Sequence, residues 1–408
     1  MKNIKRILFF VLVFCLSLTD LSWAGFKVSP SISLREEYND NIFLTPRDEE
    51  DDFITNIYPA INISYNSNLL TLSLDYGLNF WFYADHPDLN ETNTQRAKLE
   101  TTLSPYKDIF FIRVFDEYQR VTIDERRQVA LDNIFVNLTD SNRFLINPYF
   151  EYPLSGTLKA RIGYSYENIW YKAKEGDDTD NHLATVSLIK ELTPKISTSL
   201  SYSYSVYNPK RTEDYDRQNA ILGINYQVSP KLTLNGEIGQ TWFDYEKTGT
   251  LDSLIGKIQA NYLLTEIISL SAGYSISFLD SVEFGTYKSK AATASLTRQG
   301  NIPITLSVFK KTDTYLTENR EDKSTGVALN SNLPITPRIT GGLIGTYTNY
   351  EFLPEQEKVK RYGLGLSFDY ALRITTVTFG YTHNWNNSTV DNNNYRNNII
   401  WVQARFTI

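Results

Sequence analysis

The stretch that decides the fold runs from Thr193 to Leu234 and reads TPKISTSLSYSYSVYNPKRTEDYDRQNAILGINYQVSPKLTL. After a tight Thr-Pro-Lys turn, apolar and aromatic side chains alternate with small polar ones over residues 196–206. A polar loop covers residues 208–216, and the alternation resumes over residues 220–228 before a second proline-containing turn. Alternation with a period of two indicates β-strands with one face in an apolar medium and the other in a polar medium.

The same rhythm continues along the rest of the chain. Strands of roughly ten residues, joined by short turns at one end and longer polar loops at the other, are typical of a transmembrane β-barrel. We therefore predict an all-β fold, a transmembrane antiparallel up-and-down barrel of about twenty strands. Eighteen is the alternative, because a first strand over residues 26–44 and any strand in residues 124–137 are ambiguous. A soluble sandwich or propeller is the competing fold, but it does not explain the difference between short turns and long loops.

The N-terminal residues form a predicted targeting signal. Lys2, Lys5 and Arg6 precede an apolar run over residues 7–18, and Ser22-Trp23-Ala24 offers a cleavage site. We predict a secretory signal peptide over residues 1–24, followed by one outer-membrane barrel over residues 25–408. Cys15 is the only cysteine of the chain, so the predicted barrel contains no disulfide and no thiolate metal site.

Composition and the last strand indicate the surroundings of the barrel. The net charge of −7 argues against a nucleic-acid partner. The chain has 28 tyrosines, and aromatic residues form girdles at membrane interfaces, which we expect for Trp81 and Tyr83 at one strand end. The final residues alternate up to Ile408 and resemble the C-terminal signal of barrel proteins, although most such proteins end in Phe and Ile408 departs from that pattern. We therefore expect outer-membrane lipid, lipopolysaccharide and the barrel-assembly machinery as partners.

The polar face of each strand predicts the lining of the lumen. From the ninth strand onward this face is mostly small and neutral, as in Ser197, Ser199 and Ser201. The N-terminal strands instead place charges inward, because a central Arg or Lys facing hydrocarbon costs about 2–4 kcal/mol. The candidate pore-lining residues are Arg35, Glu37, Arg96, Arg113, Glu117, Arg143, Glu151 and Arg161. They either pair across strands and stiffen the wall, or form a charged wall that selects a solute.

Catalysis is not predicted. The stretch around His383 resembles the histidine-containing strand of outer-membrane phospholipases and lipid A deacylases, which carry a serine nucleophile two residues later. Trp385 occupies that position here, so the histidine has no nucleophile to activate. The three histidines, His86, His182 and His383, have no spacing typical of a metal site. We predict no enzyme, no metal and no cofactor.

Two segments resemble a known family. Residues 35–44, REEYNDNIFL, followed by Asp52-Phe53-Ile54-Thr55 and Tyr58-Pro59, resemble the N-terminal signature of an outer-membrane β-barrel porin family. Residues 142–149, NRFLINPY, are similar to its mid-chain strand. Members of this family include proteins associated with exosortase/PEP-CTERM and exopolysaccharide systems. The resemblance implies a passage or scaffold for surface polysaccharide and brings no catalytic residue.

The predicted function is an outer-membrane, porin-like channel linked to export or surface assembly of polysaccharide. The alternatives are a general diffusion porin for small hydrophilic solutes and a non-conducting structural anchor of an envelope complex. General porins narrow their pore with a long loop that folds inward, and only residues 122–140 are long enough here. The sequence leaves open whether the barrel is plugged, and it leaves the oligomeric state open.

Overall fold

The computed structural model describes residues 25–106 and 108–407, and nearly all of them belong to strands or to the connections between strands. The strands are β1 (Phe26–Asn39), β2 (Asp52–Asn66), β3 (Leu70–Tyr83), β4 (Glu91–Tyr106), β5 (Phe110–Thr122), β6 (Leu138–Ser155), β7 (Leu158–Tyr171), β8 (Thr179–Thr193), β9 (Ile196–Pro209), β10 (Tyr215–Ser229), β11 (Leu232–Tyr245), β12 (Gly249–Leu263), β13 (Ile268–Ser281), β14 (Gly285–Arg298), β15 (Ile304–Tyr315), β16 (Glu321–Thr336), β17 (Ile339–Leu353), β18 (Glu357–Ala371), β19 (Thr375–Ser388) and β20 (Tyr395–Thr407). Two single-turn 3₁₀ helices, Pro87–Leu89 and Asp391–Asn393, lie in loops. In the described part of the chain, no helix has the length and apolar character needed to cross a membrane.

Each strand pairs antiparallel with the next, and the sheet closes on itself. The closing pair is β1 with β20, in a register that runs from Ser31 opposite Thr407 to Asn39 opposite Ile399. Because the first and last strands pair with each other, the sheet has no terminal edge strand exposed to lipid, where unpaired backbone groups are costly. The predicted transmembrane barrel is confirmed, and the strand number is twenty, not eighteen.

The alternation in sequence becomes two chemically different faces of the wall. On β9 and β10 the large side chains of Leu200, Tyr202 and Leu222 are exposed on the outside. The serines between them point inward, and Ser205 is buried within the barrel. The outer apolar side chains therefore meet lipid, and the inner polar ones meet the lumen.

The two rims of the barrel differ. At one rim, which we call the turn end, two- to five-residue turns join strands such as β8 to β9 and β10 to β11. The other rim, the loop end, carries the longer connections, including residues 40–51 and 123–137. β1 begins and β20 finishes at the turn end, so by the usual arrangement of such barrels we expect that rim to face the periplasm.

Three sequence predictions need correction, and a fourth lies outside the described residues. β1 ends at Asn39, because residues 40–51 form a loop that buries Ile42. Residues 124–137 contain no strand and fold inward. Tyr83 is not an interfacial girdle residue, because its side chain is buried inside the barrel against Ile42 and Ile54. The predicted signal peptide, residues 1–24, lies outside the described residues.

Candidate functional site

The eight predicted pore-lining residues all lie on the lumen face, opposite to exposed apolar side chains such as Leu34 and Ile162. Strand register brings some of them together, since Glu117 lies opposite Arg143 and Glu151 lies opposite Arg161. The eight nevertheless do not form one cluster, because they spread along β1 and β4–β7. Their role in conduction stays a prediction.

Most of these charges form ion pairs along the wall. Arg161 Nε donates to Glu151 Oε2 at 3.0 Å, and Arg143 Nε donates to Glu167 Oε1 at 2.6 Å. Arg143 therefore pairs with Glu167 on β7 and not with Glu117, its neighbour in register. Within the described residues, Arg113 has no carboxylate at ion-pair distance.

A polar recess of about 280 Å³ opens in the wall beside the remaining charges. Arg96 and Glu117 line it together with Asp75, Lys98 and Arg405. Near the loop end, Arg35 pairs with Glu37 at 2.8 Å and lies 4.3 Å from the ring centre of Trp401. These contacts place charge of both signs on this side of the lumen.

Residues 123–137, which we call the interior loop, connect β5 to β6 and hold a defined shape. The Asn137 amide fastens the two ends of the loop together, because its Nδ2 donates to the Asp124 carbonyl at 2.7 Å and its Oδ1 accepts from the Asp124 N–H at 3.2 Å. The Asn133 side chain closes a second turn by accepting from the N–H groups of Phe135 and Val136. The loop is therefore structured by its own side chains before any contact with the wall is considered.

An ionic cluster fixes the start of the interior loop to the opposite wall. Arg126 donates from Nε and Nη2 to Asp322 Oδ1 on β16 at 2.9 and 2.7 Å, and from Nη1 to Glu355 at 2.6 Å. Arg320 donates from Nη2 to Asp124 at 2.7 Å and to Asp322 at 2.6 Å. Asp124, Arg320 and Asp322 are buried, so this cluster is shielded from solvent and keeps much of its strength.

The middle of the interior loop reaches into the lumen. Leu131 exchanges two hydrogen bonds with the side-chain amide of Asn384, at 2.8 and 3.0 Å. Asp132 accepts from Thr382 Oγ1 at 2.6 Å, six residues below the loop-end terminus of β19. Arg361 on β18 donates to the carbonyls of Glu125 and Arg127 at 2.6 and 2.8 Å. These contacts place the loop inside the barrel and not above its rim.

The end of the interior loop packs against the near wall through apolar side chains. Ile134 and Phe135 contact the buried cluster of Ile42, Ile54 and Tyr83. The Phe135 ring meets Tyr83 edge-on, with centroids 6.3 Å apart. Because its start is held by β16–β18 and its end by β2 and β3, the interior loop bridges the lumen at the loop end.

At the loop end, His86 links two neighbouring loops through contacts with Asp52 and Glu50, which we call the His86 tie. Its Nδ1 lies 2.8 Å from Asp52 Oδ2 and its Nε2 lies 2.7 Å from Glu50 Oε2. Hydrogen bonds to Asp52 and Glu50 raise the pKa of His86 above its usual value. The tie is therefore strongest when the imidazole is protonated.

His383 lies in a different environment from a catalytic histidine. Its Nδ1 is 2.8 Å from Asn398 Oδ1. Like the exposed Phe379, it lies at an odd-numbered position of β19 and therefore has outward parity, meaning that its side chain belongs to the face of the strand that points away from the lumen. Trp385, at the position where the resembling enzymes have serine, stacks on Tyr362 with centroids 4.9 Å apart. Among residues 25–106 and 108–407 no group of three or more His, Cys, Asp or Glu side chains is arranged to hold a metal.

Sequence reasoning identified the length of the interior loop but not the residues that hold it. Thr382, Asn384, Asn386 and Ser388 form an inward row of small polar side chains on β19, and all four are buried. In the sequence, such a row cannot be distinguished from ordinary lumen lining. The signal that distinguishes Thr382 and Asn384, contact with Asp132 and Leu131 about 250 positions earlier, is not present in local sequence.

Comparison with known proteins agrees with this architecture. A protein-family model described as surface lipoprotein assembly modifier matches residues 53–279. The ferric enterobactin receptor PfeA of Pseudomonas aeruginosa in complex with BCV-L6 is similar in fold, with 8% identity and a TM-score of 0.52 over 95% of this chain and 82% of the receptor chain. The FrpB iron transporter of Neisseria meningitidis (F5-1 variant) has 8% identity and a TM-score of 0.50, over 94% of this chain and 83% of the transporter chain.

At such low identity the two solved structures show the fold alone. Among curated proteins, none matches the chain. The barrel and the family match together confirm the predicted location in the outer membrane. An outer-membrane barrel family is thus confirmed, whereas the predicted link to exosortase and polysaccharide systems is not.

Proposed function

We propose that this chain, which belongs to the surface lipoprotein assembly modifier family, acts as an outer-membrane barrel in the assembly of lipoproteins at the cell surface. The observation that carries the proposal is the family match over residues 53–279. This range extends from β2 into β13 and includes the interior loop and most of the inward charges of the N-terminal strands. The match therefore covers the part of the barrel that supplies the interior loop and most of the inward charges of the N-terminal strands.

The interior loop provides a structural mechanism for this proposal. Its contacts with both sides of the wall narrow the lumen at the loop end, so a polypeptide crosses only after the loop has moved. The buried cluster of Asp124, Arg320 and Asp322 keeps the resting barrel narrow. A client that competes for these charges releases the loop, because each charge-assisted hydrogen bond is exchanged for an equivalent one.

The test is deletion of the gene followed by measurement of lipoprotein display. Intact cells are treated with a protease, and the surface-exposed fraction of each lipoprotein is compared with its total amount. We expect the exposed fraction to fall while the total stays the same, and the wild-type gene to restore it. Unchanged display of every lipoprotein in the deletion strain refutes the proposal.

A second candidate function is export of surface polysaccharide, which the neutral half of the lumen favours. A recess of about 390 Å³ on β8–β12 is lined by Ser197, Ser199, Asn225, Asn235 and Gln259, together with the ion pair of Lys257 and Glu237. Hydroxyl and amide groups exchange hydrogen bonds with sugars at little net cost. Loss of surface polysaccharide in the deletion strain, with lipoprotein display intact, favours this candidate over the first.

In either case the proposed role is passage or assembly without catalysis. Planar-bilayer recording separates the remaining alternatives. Steady conductance of the intact protein favours general diffusion of small solutes. No conductance, even after removal of residues 125–136, favours a structural anchor.

A further inference from the structure

The barrel wall is incomplete between β12 and β13 at the loop end. Their pairing runs from Leu263 opposite Ser269 to Gly256 opposite Ile276 and then stops. Residues 249–255 of β12 continue beyond this point and remain paired with β11 alone. Residues 277–281 of β13 likewise pair only with β14. One half of this seam is therefore open.

The loop-end part of β13 and β14 lies inside the barrel, against the inner face of β10–β12. Phe278 has the same parity as the lipid-facing Leu270 and Tyr274, yet it is buried, with its ring 4.7 Å from the inward Phe243 of β11. On β14, Lys288 also has outward parity, and its Nζ donates to the inward Ser253 of β12 at 2.6 Å. The wall therefore overlaps itself and leaves a notch on the outside, which we call the seam notch.

The seam notch has a β-strand edge on one side and two lysines beside it; the outward Asp252 on this edge accepts a hydrogen bond from Gln240 Nε2 at 2.8 Å. Along residues 251–255 of β12, every second residue presents its backbone N–H and C=O toward the absent neighbour. Leu254, on this edge, is exposed on the outside. Lys290 on β14 and Lys310 on β15 are exposed and have outward parity, and in the described part of the chain neither has a carboxylate within ion-pair distance.

We propose that the seam notch docks an extended polypeptide segment with acidic side chains, which adds as a strand to the free edge of β12. Another strand supplies the alternating donors and acceptors that this edge lacks. Acidic side chains on the segment pair with Lys290 and Lys310, which have no carboxylate partner among the described residues. Identifying the segment as part of a surface lipoprotein rests on the proposed function; the docking chemistry does not.

The test uses the purified full-length barrel in neutral phosphatidylcholine nanodiscs. The photo-cross-linker benzoylphenylalanine replaces Leu254 at the notch, and in a control protein it replaces Leu366, which is also exposed on the outside but lies on β18, where both neighbouring strands are paired. The probe is a peptide of about twelve residues in which valine and aspartate alternate, long enough to cover the free edge. Two matched peptides carry either lysine in place of aspartate or N-methyl groups on alternate amides.

We expect the acidic peptide to label position 254 about tenfold more strongly than either matched peptide, and not to label position 366. Lys290→Glu with Lys310→Glu reduces labelling about tenfold, because the charge complementarity is lost. Lys360→Glu, at an exposed outward position of β18, leaves labelling unchanged.

Three results overturn the inference. Equal labelling by the N-methylated peptide means that charge alone attracts the probe. Loss of labelling when phosphatidylglycerol or lipopolysaccharide is added at equal concentration means that the notch is an anionic lipid site. A cross-linked dimer of the barrel in place of a peptide adduct means that the edge pairs with a second copy. If the peptide labels as expected while lipoprotein display in the deletion strain is normal, the proposed function fails and the seam notch stands.

Discussion

Replacing Arg126 by alanine tests whether the interior loop is held by the ionic cluster. Arg126 donates twice to Asp322, whose side chain is 10% exposed, and a hydrogen bond to a charged group contributes about 1.5–3 kcal/mol. The partner Glu355 is 60% exposed, so that contact adds only about 0–1 kcal/mol. The loss for the docked loop is therefore ~2–4 kcal/mol.

This loss changes how often the loop opens. Since ~1.4 kcal/mol corresponds to a factor of ten, the opening equilibrium rises by a factor of about 30 to 1000. Amide hydrogen exchange of residues 124–137, measured by mass spectrometry in detergent micelles, reports this equilibrium directly. We expect exchange of these amides to accelerate by that factor while the strand amides keep their protection.

The matched control is Arg143→Ala. Arg143 also pairs with a carboxylate inside the lumen, that of Glu167, but its side chain is 53% exposed and it does not contact the interior loop. We expect less than about a threefold change for the loop amides in this variant. If Arg126→Ala accelerates loop exchange by less than about fivefold, or accelerates the whole barrel equally, the ionic cluster does not hold the loop.

Three further changes probe other contacts. Because the pKa of His86 is raised, its contact with Asp52 is fully present at low pH and is lost as the pH rises through that raised value. We therefore expect the protection of the amides of residues 84–86, corrected for intrinsic exchange, to fall between mildly acidic and alkaline pH. A Cβ at Gly363 meets Leu131 Cδ1 and Thr346 Oγ1, both at 2.7 Å, so Gly363→Ala forces the Leu131 side chain to shift at a cost of about 1–3 kcal/mol, seen as faster exchange of residue 131 and its neighbours. Arg113→Ala removes a positive charge with no paired carboxylate in the described lumen and shifts the reversal potential in a salt gradient toward cation selectivity.

Each of these has an outcome that contradicts it. Protection of residues 84–86 that does not vary with pH excludes His86 as the titrating tie, and His86→Ala serves as the pH-independent control. Gly345→Ala is the control for Gly363, because a Cβ there meets its nearest neighbour, Leu329, at an ordinary 4.0 Å. Equal effects of the two alanines contradict the clash with Leu131. An unchanged reversal potential for Arg113→Ala means that this residue does not line the path of the ions.

The wall of the barrel was predictable because it follows from a local rule. Residues two positions apart lie on the same face of a strand, so the serines beside Leu200, Tyr202 and Tyr204 predict both the strand and its orientation. Strand register follows less well from sequence. Glu117 lies opposite Arg143, but Arg143 pairs with Glu167, because an arginine side chain reaches either neighbouring strand.

What packs inside the wall was not predictable, because it depends on distant segments. Tyr83 ends a strand and has the composition of a girdle residue, yet the interior loop buries it. Phe278 has lipid-facing parity, yet it is buried because the seam overlaps. In both cases the pattern gives the side of the strand correctly, but it contains no information about which other segment covers that side.

The interior loop lies far from its anchors along the chain, and this separation determines when the loop can dock. Arg126 and Asp322 are 196 positions apart in the chain, and Leu131 and Asn384 are 253 apart. The loop is synthesised before its anchors on β16–β19, so it remains undocked until those strands have inserted. Docking is consequently a late step of biogenesis and reports that the barrel has closed. A chain that stops before β16 retains the loop and its apolar contacts on β2 and β3 but lacks Asp322, Arg361 and Asn384, so in an arrested assembly intermediate the loop has none of these anchors on the opposite wall.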